Sequence, residues 1–173
     1  MRLVHLTRRF FAALWPGPPR ASDEDWVASI LAPNELLLFR RLPNHDRRHA
    51  IGVARAVDAQ LGPGTDRRWL QAALLHDVGK YAAGLSVVGR AFATVTADFA
   101  GSDRVARWEG TRGWRGRVST YVRHGEIGEA EILAVGGAPE VAAWAAAHHH
   151  PQRWGALPIE PDVVTALDAA DYA

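Results

Sequence analysis

Apolar residues recur along most of the chain at intervals of three and four, which is the spacing of one face of an α-helix. One segment, residues 85–99, has apolar residues that fit either a helix or a strand, and helix is favoured because the segment exceeds a normal strand and no hairpin signal follows. The pattern therefore predicts an all-α chain. The predicted helices span residues 1–15, 23–31, 33–42, 46–61, 66–75, 85–99, 118–123, 126–135, 140–149 and 161–171.

Proline and glycine set the predicted boundaries. The run Pro16-Gly17-Pro18-Pro19 separates an N-terminal amphipathic helix from the rest, so the chain divides into residues 1–20 and a single helical domain, residues 21–173. Packing of Phe10, Phe11, Leu14 and Trp15 on the domain is favoured over membrane docking, because one short helix binds membranes marginally. Ser22 is predicted to cap the helix that begins at residue 23. Thr65 or Asp66 is predicted to cap the helix that leads to His76.

Composition narrows the function classes. The 173 residues, 48% hydrophobic and 23% charged, suit one soluble domain with its own core. A net charge of +1 argues against general nucleic-acid binding, and the absence of cysteine excludes disulfides, thiolate zinc sites and cysteine nucleophiles. No apolar run approaches the roughly 20 residues of a membrane span. Arg8 and Arg9 interrupt any signal-peptide core, so a cytoplasmic location is expected.

The first candidate for chemistry is the stretch Leu75-His76-Asp77-Val78-Gly79-Lys80, at the end of an apolar helix. It offers an imidazole nitrogen beside a carboxylate, and an aspartate can bridge two metal ions. Lys80 is the only lysine in the chain. A second pair, His45-Asp46, lacks the apolar lead-in and the Gly-Lys exit, so His45, like His5, is predicted not to be a ligand.

Other candidate ligands lie in apolar helices or at their ends, where imidazole and carboxylate groups are costly to bury unless they are paired or metal-bound. Each is weak alone, but together they are enough to hold two transition-metal ions. A sulfur-free set of this kind suits iron, manganese or zinc more than calcium or magnesium. These candidates are His49, His124, the run His148-His149-His150, and either Asp168 or Asp171.

In this order the motifs resemble the HD-domain superfamily of metal-dependent phosphohydrolases, from about residue 45 to the C-terminus. The similarity is greatest to small bacterial HD proteins that carry the extra His and His-His ligands of two-metal sites. The matching stretches are Arg48-His49-Ala50-Ile51-Gly52-Val53-Ala54, Leu75-His76-Asp77-Val78-Gly79-Lys80, His124-Gly125-Glu126-Ile127-Gly128, His148-His149 and Ala169-Ala170-Asp171.

The resemblance implies a single-domain helical bundle with its metal site in the bundle core. One ion would be held by His49, His76, Asp77 and Asp171, and the other by His124, His148 and His149, with Asp77 bridging. Iron or manganese is expected, with zinc, nickel, cobalt or magnesium as alternatives. The pair His149-His150 remains an alternative register for His148-His149, and Asp168 an alternative for Asp171.

The function that the resemblance implies is hydrolysis of a phosphomonoester or phosphodiester, with a small, nucleotide-like substrate. Two ions about 4 Å apart would hold a bridging hydroxide that attacks phosphorus. Asp77 and Lys80 would be the catalytic residues. The alternatives are an HD-fold mixed-valent di-iron oxygenase and a non-catalytic, metal-bound sensing or interaction domain. Phosphate charge would be offset by Lys80, Arg112, Arg115, Arg117 and Arg123.

Residues 101–117 are predicted to be loop-like, because they contain four glycines interleaved with arginine and tryptophan. They form either an anion-collecting rim or a solvated loop whose tryptophans, Trp108 and Trp114, plug the core. After the histidines comes Pro151-Gln152-Arg153-Trp154. The superfamily's signalling-nucleotide phosphodiesterases have Glu and a Gly-Tyr-Pro tripeptide there, so this substrate class is not expected. The sequence does not indicate an oligomeric state.

Overall fold

The computed structural model describes residues 17–172, and every regular element in that range is a helix. The predicted all-α bundle is thereby confirmed, whereas the predicted helix at residues 1–15 and His5 lie outside the described residues. The α-helices are α1 (Ala21–Ile30), α2 (Pro33–Phe39), α3 (Asn44–Leu61), α4 (Arg67–Leu75), α5 (Val87–Ala100), α6 (Ser102–Ala106), α7 (Gly113–Val122), α8 (His124–Ala134), α9 (Pro139–Ala147) and α10 (Pro161–Asp171). Two 3₁₀ segments, Val78–Ala83 and Pro151–Ala156, follow α4 and α9.

Helix starts were predicted with mixed success. Asp66 caps α4, since its side chain accepts a hydrogen bond from the Arg68 backbone N–H at 2.9 Å. The prediction for Ser22 is wrong. Helix α1 already begins at Ala21, and Arg20 occupies the N-cap position without a side-chain hydrogen bond. The segment that was open between helix and strand is helical, as α5.

The loop predicted at residues 101–117 is also wrong, because α6 and the first half of α7 lie within it. Gly101, Gly110 and Gly113 have positive φ angles of 79°, 70° and 77°. These angles suit glycine alone, so the glycines lie at the junctions between short helices. The glycines therefore mark where each helix begins or ends and do not indicate a continuous loop.

The main core is organised around α4. Residues 72–79 are all buried, and α4 packs against α3 and α9, with α10 lying against α3. Burial on all sides explains why α4 is so apolar and why the chain leaving it, at His76, remains inside the protein. The largest fully buried apolar side chains include Phe39, Leu38, Leu74, Leu75, Ile132 and Leu167.

A smaller apolar cluster joins α5 to α6 and α7. It is built from Ala83, Leu85, Ala93, Val105 and Val118, with Trp108 and Tyr121 packed partly buried against it. Among the helices between residues 17 and 172, none is both long and apolar enough to cross a bilayer.

A buried ion pair fastens α5 to α3. The Arg90 Nη1 atom lies 2.7 Å from both carboxylate oxygens of Asp46, and both side chains are about nine-tenths buried. His45 lies beside this pair, with its Nε2 atom 3.2 Å from Asp46 Oδ1. The second His-Asp pair of the sequence therefore has a structural partner.

We expect Arg90→Met to lower the free energy of unfolding by about 3 kcal/mol, because it leaves a buried carboxylate without its cation. The double variant Arg90→Met/Asp46→Asn removes the unpaired charge and should recover part of this loss. Urea unfolding of both proteins measures the difference. Equal stabilities for Arg90→Met and the unmodified protein would contradict a stabilising role for the pair.

Candidate metal centre

Two groups of potential ligand atoms meet at Asp77. In the first group, atoms of His49, His76 and Asp77 lie within 4.8 Å of one another. The second group brings Asp77 together with His124, His148 and His149 within the same limit. Asp77 belongs to both, so these residues form one continuous candidate centre, which could hold metal ions.

The ends of four helices and one helix interior deliver these side chains. His76 is the residue that ends α4, and Asp77 comes directly before the 3₁₀ segment. His124 begins α8, His148 ends α9, and Asp171 is the last residue of α10. His49 alone lies within a helix, α3. Because helices end at the centre, most of the ligands come from chain turns enclosed by the bundle.

Three of the imidazoles are oriented by the backbone of their own helices. The Nδ1 atoms of His76, His124 and His148 donate hydrogen bonds, each 2.8 Å long, to the carbonyl three residues earlier. A carbonyl only accepts, so the ring proton is on Nδ1 and the lone pair of the neutral ring is on Nε2. This is the usual outer support of a metal-binding histidine.

The same three Nε2 atoms are buried and make no hydrogen bond within the described part of the chain, and Asp77 Oδ1 shares this property. Buried polar atoms are nearly always satisfied, so four orphaned atoms in one place need an explanation. All four are atoms of the kind that coordinates transition metals. The residues present therefore fit a metal ion.

The two oxygens of Asp77 face different groups. Oδ1 lies 3.5 Å from His124 Nε2 and 3.4 Å from His148 Nε2. Oδ2 lies 3.3 Å from His76 Nε2 and 2.5 Å from Lys80 Nζ. A carboxylate placed in this way can offer one oxygen to each of two ions.

The structure places the alternative ligands that the sequence left open at different distances from the centre. Asp171 Oδ1 lies 2.9 Å from His49 Nε2 and 3.7 Å from His76 Nε2. Neither Asp171 nor Asp168 belongs to the two ligand groups among the described residues, but Asp171 contacts His49 of the first group. His150 is exposed and is also outside both groups, whereas His148 and His149 belong to the second. Asp171 therefore lies beside the first group, and His148 and His149 lie in the second, while the residues that would bind an ion stay a prediction.

Charge is concentrated at the buried side of the centre. Burial alone would lower the pKa of His76, but the adjoining Asp77 carboxylate raises this pKa to about 9. Burial would raise the pKa of Asp77, yet His76 and Lys80 hold it well below its ordinary value. The pKa of Asp171 is lowered too, because its contact with His49 outweighs its burial. The carboxylates that raise the pKa of His76 are therefore the ones that would also attract a metal ion.

Three further imidazoles of the centre have lowered pKa values, which favour the neutral form. Burial lowers the pKa of His49 and of His124, and partial burial together with the neighbouring histidines lowers the pKa of His149. A neutral imidazole is the form that coordinates metal. His149 is exposed, so it lies at the open side of the second group.

Of the residues predicted to bind phosphate, only Lys80 contacts a residue of the ligand groups, namely Asp77. This carboxylate raises the pKa of Lys80 despite burial of the amine. Arg123 is paired with Glu109 and Glu126. The remaining three, Arg112, Arg115 and Arg117, are exposed on and beside the start of α7.

The two tryptophans of the predicted rim behave differently. Trp108 packs against the smaller apolar cluster, with Arg115 lying over its ring at 5.7 Å from the ring centre. Trp114 is 42% exposed. Of the two tryptophans that were expected to pack into the core, only Trp108 does so.

Two supporting residues escaped the sequence analysis. Beyond Pro151 the chain folds back, so that Arg153 donates to the Ala146 carbonyl at 3.3 Å and Trp154 Nε1 to the Ala147 carbonyl at 2.9 Å. These bonds satisfy the last carbonyls of α9, next to His148. The sequence alone hardly indicates this role, because Arg153 and Trp154 reach the helix end only after the chain has folded back.

Gly79 lets the 3₁₀ segment touch the start of α8. A Cβ atom at Gly79 would lie 2.0 Å from the His124 carbonyl oxygen and 2.7 Å from the Gly128 nitrogen. Both neighbours are backbone atoms, so the helix that carries His124 would have to move.

Gly79→Ala should therefore displace His124 and reduce bound metal to the ion held by the first group, with a loss of about 1–3 kcal/mol of stability. Gly52→Ala is the matched control, because an added Cβ there meets nothing within 4 Å. Elemental analysis of both proteins after identical metal loading makes the comparison. Equal metal content in the two variants would show that the close approach does not position His124.

Stability of the metal-free protein should peak near pH 6.5. Above this pH the unfolded chain releases the His76 proton that the folded chain keeps until about pH 9, so stability falls as pH rises through that window. His49, His124 and His149 have lower pKa values in the folded than in the unfolded chain. Below pH 6.5 the unfolded chain therefore binds more protons at these residues, and stability falls as pH falls. Melting temperatures across pH 5–9 measure the curve, and saturating metal should shift the maximum upward, because ligating imidazoles are neutral.

Comparisons with protein-family models, with curated proteins and with solved structures found no match for this chain. The likeness to the HD-domain superfamily therefore rests on the motifs themselves and stays a resemblance. The geometry supports a coarser statement without it. Buried histidine and aspartate side chains form a centre in an all-α bundle, and this centre could hold a metal ion.

Proposed function

We propose that this protein is a metal-dependent phosphohydrolase of the HD type, with a binuclear centre bridged by Asp77. One observation carries the proposal: the two oxygens of a single buried carboxylate face two separate ligand groups. A mononuclear site would need only one of these groups. The orphaned Nε2 atoms on both sides of Asp77 support two ions over one.

The first ion would be held by His49, His76, Asp77 and Asp171, and the second by Asp77, His124, His148 and His149. Two such ions supply Lewis acidity towards phosphate oxygens and an activated water for attack on phosphorus. Nitrogen and oxygen ligands without sulfur favour iron or manganese, with zinc, nickel, cobalt or magnesium as alternatives.

The protein's own groups supply placement and charge. Backbone carbonyls fix the three buried rings with Nε2 pointing inward, so little reorganisation accompanies binding. Lys80 holds Asp77 Oδ2 and adds a positive charge beside the centre, where charge on a phosphate ester would be offset. The exposed His149 marks the side from which a substrate enters.

The proposed substrate is a small phosphomonoester or phosphodiester, nucleotide-like in size. A chain with a net charge of +1 has no broad positive field with which to bind nucleic acid in general. Arg123 directly precedes the ligand His124 in the chain, and its ion pairs with Glu109 and Glu126 would open to receive phosphate. Arg112, Arg115 and Arg117, exposed on and beside the start of α7, would add further positive charge.

We expect the metal-loaded protein to bind two equivalents and to hydrolyse a chromogenic phosphodiester or phosphomonoester. Asp77→Ala, with Asp77→Asn as the isosteric form, should lose both ions and all turnover, because each group then lacks its shared ligand. Lys80→Ala should keep the metal and lose turnover by roughly ten- to a thousandfold. His45→Ala is the control, because its ring lies against the Arg90–Asp46 pair, and it should keep both metal and activity.

Elemental analysis and turnover, measured with and without air, separate the rival functions. Metal retained by Asp77→Asn would remove the bridging role. Oxygen consumption by the iron-loaded protein without phosphate release would favour the di-iron oxygenase. Bound metal with neither activity, across a panel of phosphate esters, would favour the sensing or interaction domain.

A further inference from the structure

Helix α5 presents a stripe of large apolar side chains to solvent. None of these side chains belongs to the ligand groups. Its four members are Val88, Phe92, Val95 and Phe99, which are 47%, 63%, 51% and 89% exposed. Single exposed apolar residues are ordinary, but four on one face of a helix mark an interaction surface.

The helix cannot bury this stripe by rotating. On the opposite face Arg90 and Ala93 are buried, and Ala97 and Ala100 pack partly buried against the smaller cluster. The Arg90–Asp46 ion pair also fixes this face towards α3. Helix α5 is therefore apolar on two sides, and only one of them is used by the described part of the chain.

The spacing of the stripe is that of a coiled-coil seam. Its members are separated by four, three and four residues, which is the a/d spacing of two heptads. A lone surface helix has no need of this spacing, whereas a helix that packs along a second helix at a shallow angle does.

We propose that the stripe is a homodimer interface, in which α5 of one chain packs antiparallel on α5 of a second copy. Read backwards, the order Val-Phe-Val-Phe becomes Phe-Val-Phe-Val. Antiparallel pairing thus places Val88 against Phe99 of the second copy and Phe92 against its Val95. Every layer then contains one large and one small side chain, whereas parallel pairing would stack Phe on Phe and leave thin Val–Val layers.

The charges on α5 agree with this direction. Apart from the buried Arg90, Asp98 is the only ionisable residue between Val87 and Ala100. Antiparallel packing brings each Asp98 towards the N-terminal end of the partner helix, where the helix dipole favours a negative charge, whereas parallel packing would place it beside the C-terminal end.

The exposed area is sufficient for a weak, specific dimer. With roughly 200 Å² for a fully accessible phenylalanine and roughly 150 Å² for a valine, the stripe exposes about 450 Å² per copy. Complete burial of the stripe in both copies would remove about 900 Å² from solvent, and the flanking Ala91, Thr96 and Asp98 surfaces would bring the total to the roughly 1,000 Å² at which specific interfaces begin.

Sedimentation or light scattering of the full chain at about 1–100 µM tests the proposal, with a concentration-dependent dimer as the expected result. Phe92→Glu and Phe99→Glu should each raise the dimer dissociation constant at least tenfold. Leu133→Glu is the matched control, because Leu133 is 48% exposed on α8 and lies off the stripe, so it should leave the dimer unchanged. Circular dichroism confirms that each variant is folded.

Disulfide trapping tests the direction, because the chain has no cysteine of its own. A mixture of Val88→Cys and Phe99→Cys proteins should form a mixed disulfide on oxidation, while Val88→Cys alone should not cross-link. Self-linking of Val88→Cys would overturn the antiparallel arrangement. A protein that is monomeric at every concentration would overturn the dimer. If Phe92→Glu also lowers the melting temperature of that monomer, the stripe is covered by another part of the same chain, and the dimer is again excluded. Metal content does not enter these measurements, so they stand apart from the proposed phosphohydrolase.

Discussion

The structure depends on the burial of one carboxylate. Asp77 is almost inaccessible to solvent, and removing a charged group from water is unfavourable unless other groups replace its hydration. Here His76 and Lys80 replace the hydration of Oδ2, while Oδ1 faces the Nε2 atoms of His124 and His148 without a hydrogen bond, an arrangement that a metal ion would satisfy. His76 and Lys80 belong to the same stretch of chain as Asp77, whereas His124 and His148 come from α8 and α9, so the carboxylate is enclosed only once these helices have packed.

The local pattern of the sequence was enough to predict the helices, because each face follows the 3.6-residue period. It failed where short helices are joined by glycines. Between Gly101 and Gly113 the composition is typical of a loop, and tertiary packing of Val105 and Val118 against the smaller cluster decides the outcome. The Ser22 cap failed for a related reason, since a helix can begin one residue before a good capping residue when its flanking backbone is already extended.

Potential metal ligands were easier to predict than substrate contacts. Histidines and aspartates in apolar helices are costly unless they meet, so their presence implied a common centre. Six of them lie in the two groups that share Asp77, and Asp171 contacts His49 of the first group. The distinction between Asp171 and Asp168, one turn apart on α10, needed coordinates. Arginines carry no comparable constraint, because a long charged side chain is equally at home on a solvated surface, and Arg123 is paired with two glutamates there. The return of Trp154 to the end of α9 involves a turn of the chain that no local pattern describes.

The backbone support of His76, His124 and His148 has a consequence for how such a centre can change over evolution. In many metal sites the outer partner of a histidine is a carboxylate side chain, which a single substitution can remove or strengthen. Here each outer partner is a main-chain carbonyl, which every amino acid retains. The donor strength of these three nitrogens is therefore insulated from most point mutations and set by helix geometry. Substitutions that change how such a centre holds a metal would therefore have to act on the ligand side chains or on the packing of the three helix ends, while the orientation of these nitrogens stayed constant.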